Sequence, residues 1–227
     1  VLRLSDNMRN VAVTEGDKVE AEIKFGWSVN HWAIGDLVSR MDEVTDEQID
    51  AQMDSYAKDY EIATEDTDAV RYQAKIEVAL RSMLEEGNFG AFTTNFEDLY
   101  GMEQLPGLAA QDLMKDGYGF GAEGDWKTAA MTRIIKLMAQ GRPEGTTFME
   151  DYTYSFEPGN EMIMGAHMLE VCPSVADEKP RIEVHPLSIG DKDDPARLIF
   201  NGTKGSGIVV TLIDLGGRFR MIVNDIE

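Results

Sequence analysis

The chain has 227 residues, 43% hydrophobic and 28% charged, which is enough apolar material for a sizeable core in one large domain or two smaller ones. Its 42 Asp and Glu against 21 Lys and Arg leave a formal charge of −21, so phosphate backbones and anionic lipid are repelled, and neither nucleic acid nor a membrane surface is expected as a partner. No stretch approaches the ~18 apolar residues of a membrane span, and the single Cys172 excludes an internal disulfide framework, which fits a cytoplasmic address.

In chain order, the clearest helix start is Val44-Thr45-Asp46-Glu47-Gln48-Ile49. Thr45 and Gln48 complete a capping box, and Val44 staples to Ile49. Ile49, Met53, Tyr56 and Tyr60 then share one helical face, read as packing. A second helix carries Ile76, Leu80, Met83 and Leu84 to a stop at Gly87, and 89–94 reads as a buried strand. A shorter helix over 108–115 is followed by a strand over 118–122. Asp125 then caps a helix whose apolar face is Ala130, Met131, Ile134, Ile135 and Met138 and which ends at Gly141. Beyond Gly141-Arg142-Pro143 the pattern changes to period-two alternation with turn signals, which predicts a mostly β region. The expected organisation is an α/β domain over 1–142 and a β-rich segment over 143–227.

Gly119-Phe120-Gly121-Ala122-Glu123-Gly124 satisfies the G-x-G-x-x-G pattern after a strand and before a helix. Glu123 sits where a pyrophosphate would lie, and its charge argues against a dinucleotide. A carboxylate leaving the carboxyl end of a strand in an open α/β sheet instead lies where ligands bind, the alternative being a loop residue that caps its own helix. Glu157-Pro158-Gly159-Asn160 reads as a type II turn joining two strands. An unbulged two-residue hairpin would pair Glu150 with His167, while a bulge would send them to opposite faces. A simple cross-strand contact is one reading of that pair. With Glu123 added, two carboxylates and an imidazole suit Mn²⁺, Fe²⁺ or Zn²⁺. His185, beside Pro186, and His31, beside Trp32, read as structural or surface residues.

The runs Asp6-Asn7-Met8-Arg9, Ile23-Lys24-Phe25-Gly26-Trp27, Phe92-Thr93-Thr94-Asn95-Phe96-Glu97-Asp98-Leu99, Glu123-Gly124-Asp125-Trp126-Lys127, Phe148-Met149-Glu150-Asp151-Tyr152 and Gly165-Ala166-His167-Met168-Leu169-Glu170 resemble the L-arabinose isomerase family in the right order across nearly the whole chain. The resemblance implies a central three-layer open-sheet domain followed by the first part of an antiparallel β-barrel, the fucose/arabinose isomerase-like fold. It implies Glu123, Glu150 and His167 as three of four ligands of Mn²⁺, with Co²⁺ as a substitute. Glu123 and Glu150 double as the acid/base pair, and Met8, Phe96 and Leu187 line the sugar pocket. It further implies a cis-enediol interconversion of L-arabinose and L-ribulose, D-galactose to D-tagatose as a side activity, and a homo-oligomer that is a hexamer in complete members. The family's N-terminal domain and its fourth ligand, a more C-terminal His, have no counterpart here, so a non-catalytic fragment that binds sugar or metal is the alternative. Metal-assisted hydrolysis is a third reading. Ser155, Ser188 and Asp191 depart from the family's usual residues.

Overall fold

The structure, a computed structural model, describes residues 1–143 and 145–227. The chain opens with β1 (Leu2–Leu4), α1 (Lys18–Phe25), β2 (Asn30–Trp32), α2 (Ile34–Glu43), α3 (Asp46–Asp59), β3 (Glu61–Ile62), α4 (Thr67–Glu86) and β4 (Ala91–Thr93). It continues with α5 (Gly107–Lys115), β5 (Gly119–Gly121), α6 (Trp126–Met138), β6 (Glu150–Ser155), β7 (Met162–Ala166), β8 (Arg181–Val184), β9 (Ala196–Ile199), β10 (Gly207–Asp214) and β11 (Phe219–Ile226). Four strands form a parallel sheet in the order β2-β1-β4-β5. The strands β1, β4 and β5 are buried along their whole length, as expected when helices cover both faces of a parallel sheet.

The helix signals act as expected. Thr45 accepts from the Gln48 N–H while Gln48 Oε1 accepts the Thr45 N–H at 2.9 Å, so each satisfies an amide the first turn leaves free. Ile49, Tyr56 and Tyr60 are buried in a second core with Ile182 and Leu198. Asp125 caps α6 by accepting from the Lys127 and Thr128 N–H groups, and α6 ends at Met138, slightly before Gly141. Lys127, fully buried, gives its ammonium group three oxygens: the Thr14 carbonyl at 3.0 Å, the Glu15 carbonyl at 2.6 Å and Asp125 Oδ1 at 3.0 Å. This set ties the start of α6 to the loop after β1.

The glycines of the 119–124 run are there for packing. A Cβ on Gly119 would meet the Ala129 carbonyl oxygen at 2.2 Å, and one on Gly121 would meet the Asp125 carbonyl oxygen at 2.6 Å, so α6 lies directly against the backbone of β5. Gly119→Ala is expected to destabilise the chain by about 3 kcal/mol, because the obstacle is backbone and cannot rotate away. Urea unfolding of the two proteins measures this, and an unchanged midpoint would contradict the packing account.

After residue 145 the strands pair locally. β6 with β7 and β10 with β11 are antiparallel two-stranded pairs, while β9 pairs with β8 and β8 runs parallel to β3, joining segments from either side of residue 142 in one sheet. Most of β11 faces solvent. Among the described residues no helix is long and apolar enough to cross a membrane.

Candidate metal centre

Glu123 leaves the carboxyl end of β5 with a left-handed backbone, φ 61°, which is uncommon for a residue with a side chain. Its carbonyl accepts the Met8 N–H at 2.9 Å, the Gly124 N–H donates to the Thr94 carbonyl at 3.0 Å, and Asn7 Nδ2 donates to the Gly124 carbonyl at 3.1 Å. These bonds from the loops after β1 and β4 hold the turn in place, as retention of a strained residue requires. Asp125, not Glu123, caps the helix, which leaves the Glu123 carboxylate free to line a recess of about 50 Å³ with Thr94, Phe96, Leu105, His167 and Glu170.

The 157–160 turn has the expected form: Gly159 takes φ 80°, and the Asn160 N–H donates to the Glu157 carbonyl at 2.9 Å. Thr153, Tyr154 and Ser155 pair as the unbulged register requires, with Met164, Ile163 and Met162. The register then shifts between Asp151 and Thr153, so Glu150 stands opposite Ala166 and not His167. The expected ladder pairing is therefore corrected. The two side chains nevertheless converge, because β7 ends at Ala166 and His167 no longer follows the alternation of the strand. His167 Nε2 lies 3.9 Å from Glu150 Oε2.

Glu170, absent from the sequence reading of the site, completes the group: its Oε2 lies 2.5 Å from His167 Nδ1, and both side chains are almost fully buried. The signal was present in the sequence as a carboxylate three residues after the histidine. The Phe148 ring stands edge-on to the imidazole at 5.0 Å. Burial pushes the Glu123 carboxyl above its ordinary range, and the nearby Glu150 charge adds to this while His167 opposes it. Burial likewise raises Glu150, with His167 opposing and Glu170 adding. For His167, burial alone would lower the pKa, but Glu170, Glu150 and Glu123 together outweigh it and raise it. Three carboxylates around one imidazole form a cluster with excess negative charge, a donor set that suits a divalent cation.

Of the other expected pocket residues, Phe96 lines the recess, Met8 is tied to Glu123 through its backbone, and Leu187 packs against the main core without lining the recess. His31 and His185 are exposed, and His185 Nε2 lies 2.7 Å from Glu183 Oε2, a partner the sequence did not suggest. Among the described residues, the acidic group whose ligand atoms all lie within 4.8 Å of one another is Glu77, Asp112 and Asp116. It is already occupied by protein cations and hydroxyls: Arg81 bonds Glu77 at 2.6 Å and Asp116 at 2.7 Å, Lys115 bonds Asp112 at 2.9 Å, and Tyr56 donates to Glu77 at 2.6 Å.

A sequence profile of the L-arabinose isomerase central domain matches residues 1–141, and one of the L-arabinose isomerase C-terminal domain matches residues 145–227. The chain belongs to the L-arabinose isomerase family. Along its whole length it is 59% identical to the L-arabinose isomerases of Geobacillus thermodenitrificans and Geobacillus stearothermophilus, covering 47% of each, and 58% identical to that of Thermotoga petrophila, covering 46%. The chain thus spans about half the length of the curated relatives it matches. The Glu123 turn, the β6–β7 pair and the His167-to-Glu170 segment all lie within the parts that match the L-arabinose isomerase profiles.

Proposed function

We propose that this chain is the metal-binding part of an aldose–ketose isomerase that interconverts L-arabinose and L-ribulose, with D-galactose to D-tagatose as a side activity. The observation that supports it best is that Glu123 and His167 line one recess at the carboxyl end of a parallel sheet, with Glu150 3.9 Å from His167, in a chain about 59% identical to relatives named L-arabinose isomerase. The donor set fits one divalent ion, Mn²⁺ with Co²⁺ as a substitute, held by Glu123, Glu150 and His167 Nε2. When bound, such an ion would supply positive charge to offset the negative charge that develops on the open-chain sugar.

The chain's own residues do the proton chemistry. One of Glu123 and Glu150 removes the proton from C2 of the aldose, and the other carries the hydroxyl proton, giving a cis-enediol that is reprotonated at C1. Burial raises both carboxyls above their ordinary range, which strengthens each as a proton acceptor. Phe96 gives the recess an apolar wall that keeps water from the intermediate; Met8, whose N–H is bonded to the Glu123 carbonyl, and Leu187, which packs on the main core outside the recess, are assigned to the sugar pocket by the family resemblance. In the longer protein, we further propose, residues 1–142 act as the central open-sheet domain and 143–227 begin a C-terminal antiparallel barrel of the fucose/arabinose isomerase type. The protein assembles as a cytoplasmic hexamer.

Titration calorimetry of the 227-residue chain with Mn²⁺, beside Glu150→Ala, tests the site. Saturable binding that the substitution abolishes is the expected result, and equal binding by both proteins would remove Glu150 from the ligand set. A second reading is that this stretch binds metal or sugar without turning sugar over. Incubating aldose in deuterated water separates the readings: solvent deuterium at C1 of the ketose reports isomerisation and excludes both simple binding and hydrolysis.

A further inference from the structure

We propose that Glu170 is the positioning residue of this site: it holds the His167 ring with Nδ1 protonated, so that Nε2 is the nitrogen whose lone pair faces Glu150 and the recess. The geometry needs no metal. Glu170 Oε2 is 2.5 Å from Nδ1, and a carboxylate there accepts only if Nδ1 carries the proton. A neutral imidazole has one protonated nitrogen, so the other, Nε2, becomes the donor atom. It is also the nitrogen nearest Glu150, at 3.9 Å.

Glu170 is itself fixed. Arg197 Nη1 donates to the Met168 carbonyl at 3.2 Å and Nη2 to the His185 carbonyl at 2.7 Å, bracing the turn just before it. On the other side, Gln111 Nε2 donates to the Val171 carbonyl at 2.9 Å, and the Cys172 N–H donates to Thr147 Oγ1 at 2.7 Å. The carboxylate is therefore anchored through its backbone to α5, to β9 and to the loop before β6, while Phe148 limits the imidazole from another side. A group held this firmly sets the ring's orientation before any ligand arrives, which is how an outer carboxylate sharpens a metal-binding histidine.

The part of this inference that concerns metal rests on the proposed function, and the experiment keeps the two apart. The chain has three histidines, so nitrogen NMR of the ¹⁵N-histidine-labelled protein, with His167→Gln to assign the signal, reads the tautomer directly at a pH where the ring is neutral. The Nδ1–H form is expected in the unaltered chain, with its proton shifted far downfield by the carboxylate. In Glu170→Gln the amide oxygen still accepts, so the tautomer persists while the proton moves upfield; in Glu170→Ala the ring reverts to the Nε2–H form that a free imidazole prefers. Glu170→Gln, nearly the same shape, keeps the test valid where Glu170→Ala does not fold. An Nε2–H ring in the unaltered chain, or a proton signal indifferent to Glu170→Gln, overturns the inference whatever metal does. Mn²⁺ titration of the same proteins gives the second arm, with affinity expected to fall ~10–100-fold in Glu170→Ala. Unaltered affinity there, with binding still abolished by Glu150→Ala, would sink the metal-directed part alone, whereas Mn²⁺ binding indifferent to Glu150→Ala would sink the metal site and leave the tautomer result standing.

Discussion

Glu123→Gln and Glu150→Gln, each made in a protein extended to the length of the relatives, are expected to lower turnover by ~10²–10⁴-fold while leaving the fold intact. Each swap keeps the size of the side chain and removes its ability to accept a proton. Neither residue is part of the core: both are half-buried, and Glu123 has its backbone, not its carboxylate, tied to its neighbours. The chemical loss should therefore appear without a stability loss. Steady-state rates for L-arabinose, with circular dichroism melts as the control, measure it. Near-normal turnover in both variants would remove the assigned acid/base roles, and a matching loss of thermal stability would assign the effect to folding.

The second large effect is on stability and lies away from this site. Glu77 is wholly buried, and burial, reinforced by the Asp112 charge and opposed by Tyr56 and Arg81, raises its pKa from 4.5 to about 8. Between those values the folded chain binds a proton that the unfolded chain has released, so stability falls as pH rises. The contribution is fully present below pH 4.5 and lost as pH passes about 8. Glu77→Gln removes this dependence and keeps the contacts, since its amide oxygen accepts from Arg81 and its NH₂ donates to the Tyr56 hydroxyl. Relative to the unaltered chain, Glu77→Gln should gain on the order of 4 kcal/mol between pH 5 and 8. Urea denaturation at a series of pH values reads the difference, and parallel curves would contradict a neutral buried carboxyl.

How far the sequence anticipated this molecule varies by element. α3 to α6 were legible because their apolar spacing and caps, Thr45 with Gln48 and Asp125, act within a few residues of one another. β1 and β2 have three residues each, with no alternation to read, and they become strands only through parallel neighbours far along the chain. The Glu157-Pro158-Gly159-Asn160 turn was readable, whereas the register shift near Tyr152 was not, because that stretch alternates without interruption. Glu123, Glu150 and His167 were legible as a set mainly through resemblance. The meeting of Glu150 and His167 follows from where β7 stops, a tertiary fact that strand arithmetic does not contain.

The exposed outer face of β11 has a colloidal consequence. Met221 and Val223 are at least half exposed there, and Ile163 and Met164 are similarly open on β7, so the chain carries adhesive apolar strips on narrow two-stranded sheets. A net charge of −21 holds such surfaces apart. That protection is ionic and therefore conditional: at ~1 M salt the screening length shrinks to ~3 Å, and acid removes the charge itself. Light scattering should accordingly find the chain dispersed in dilute neutral buffer and clustering as salt rises or pH falls, with the hairpins as the points of adhesion.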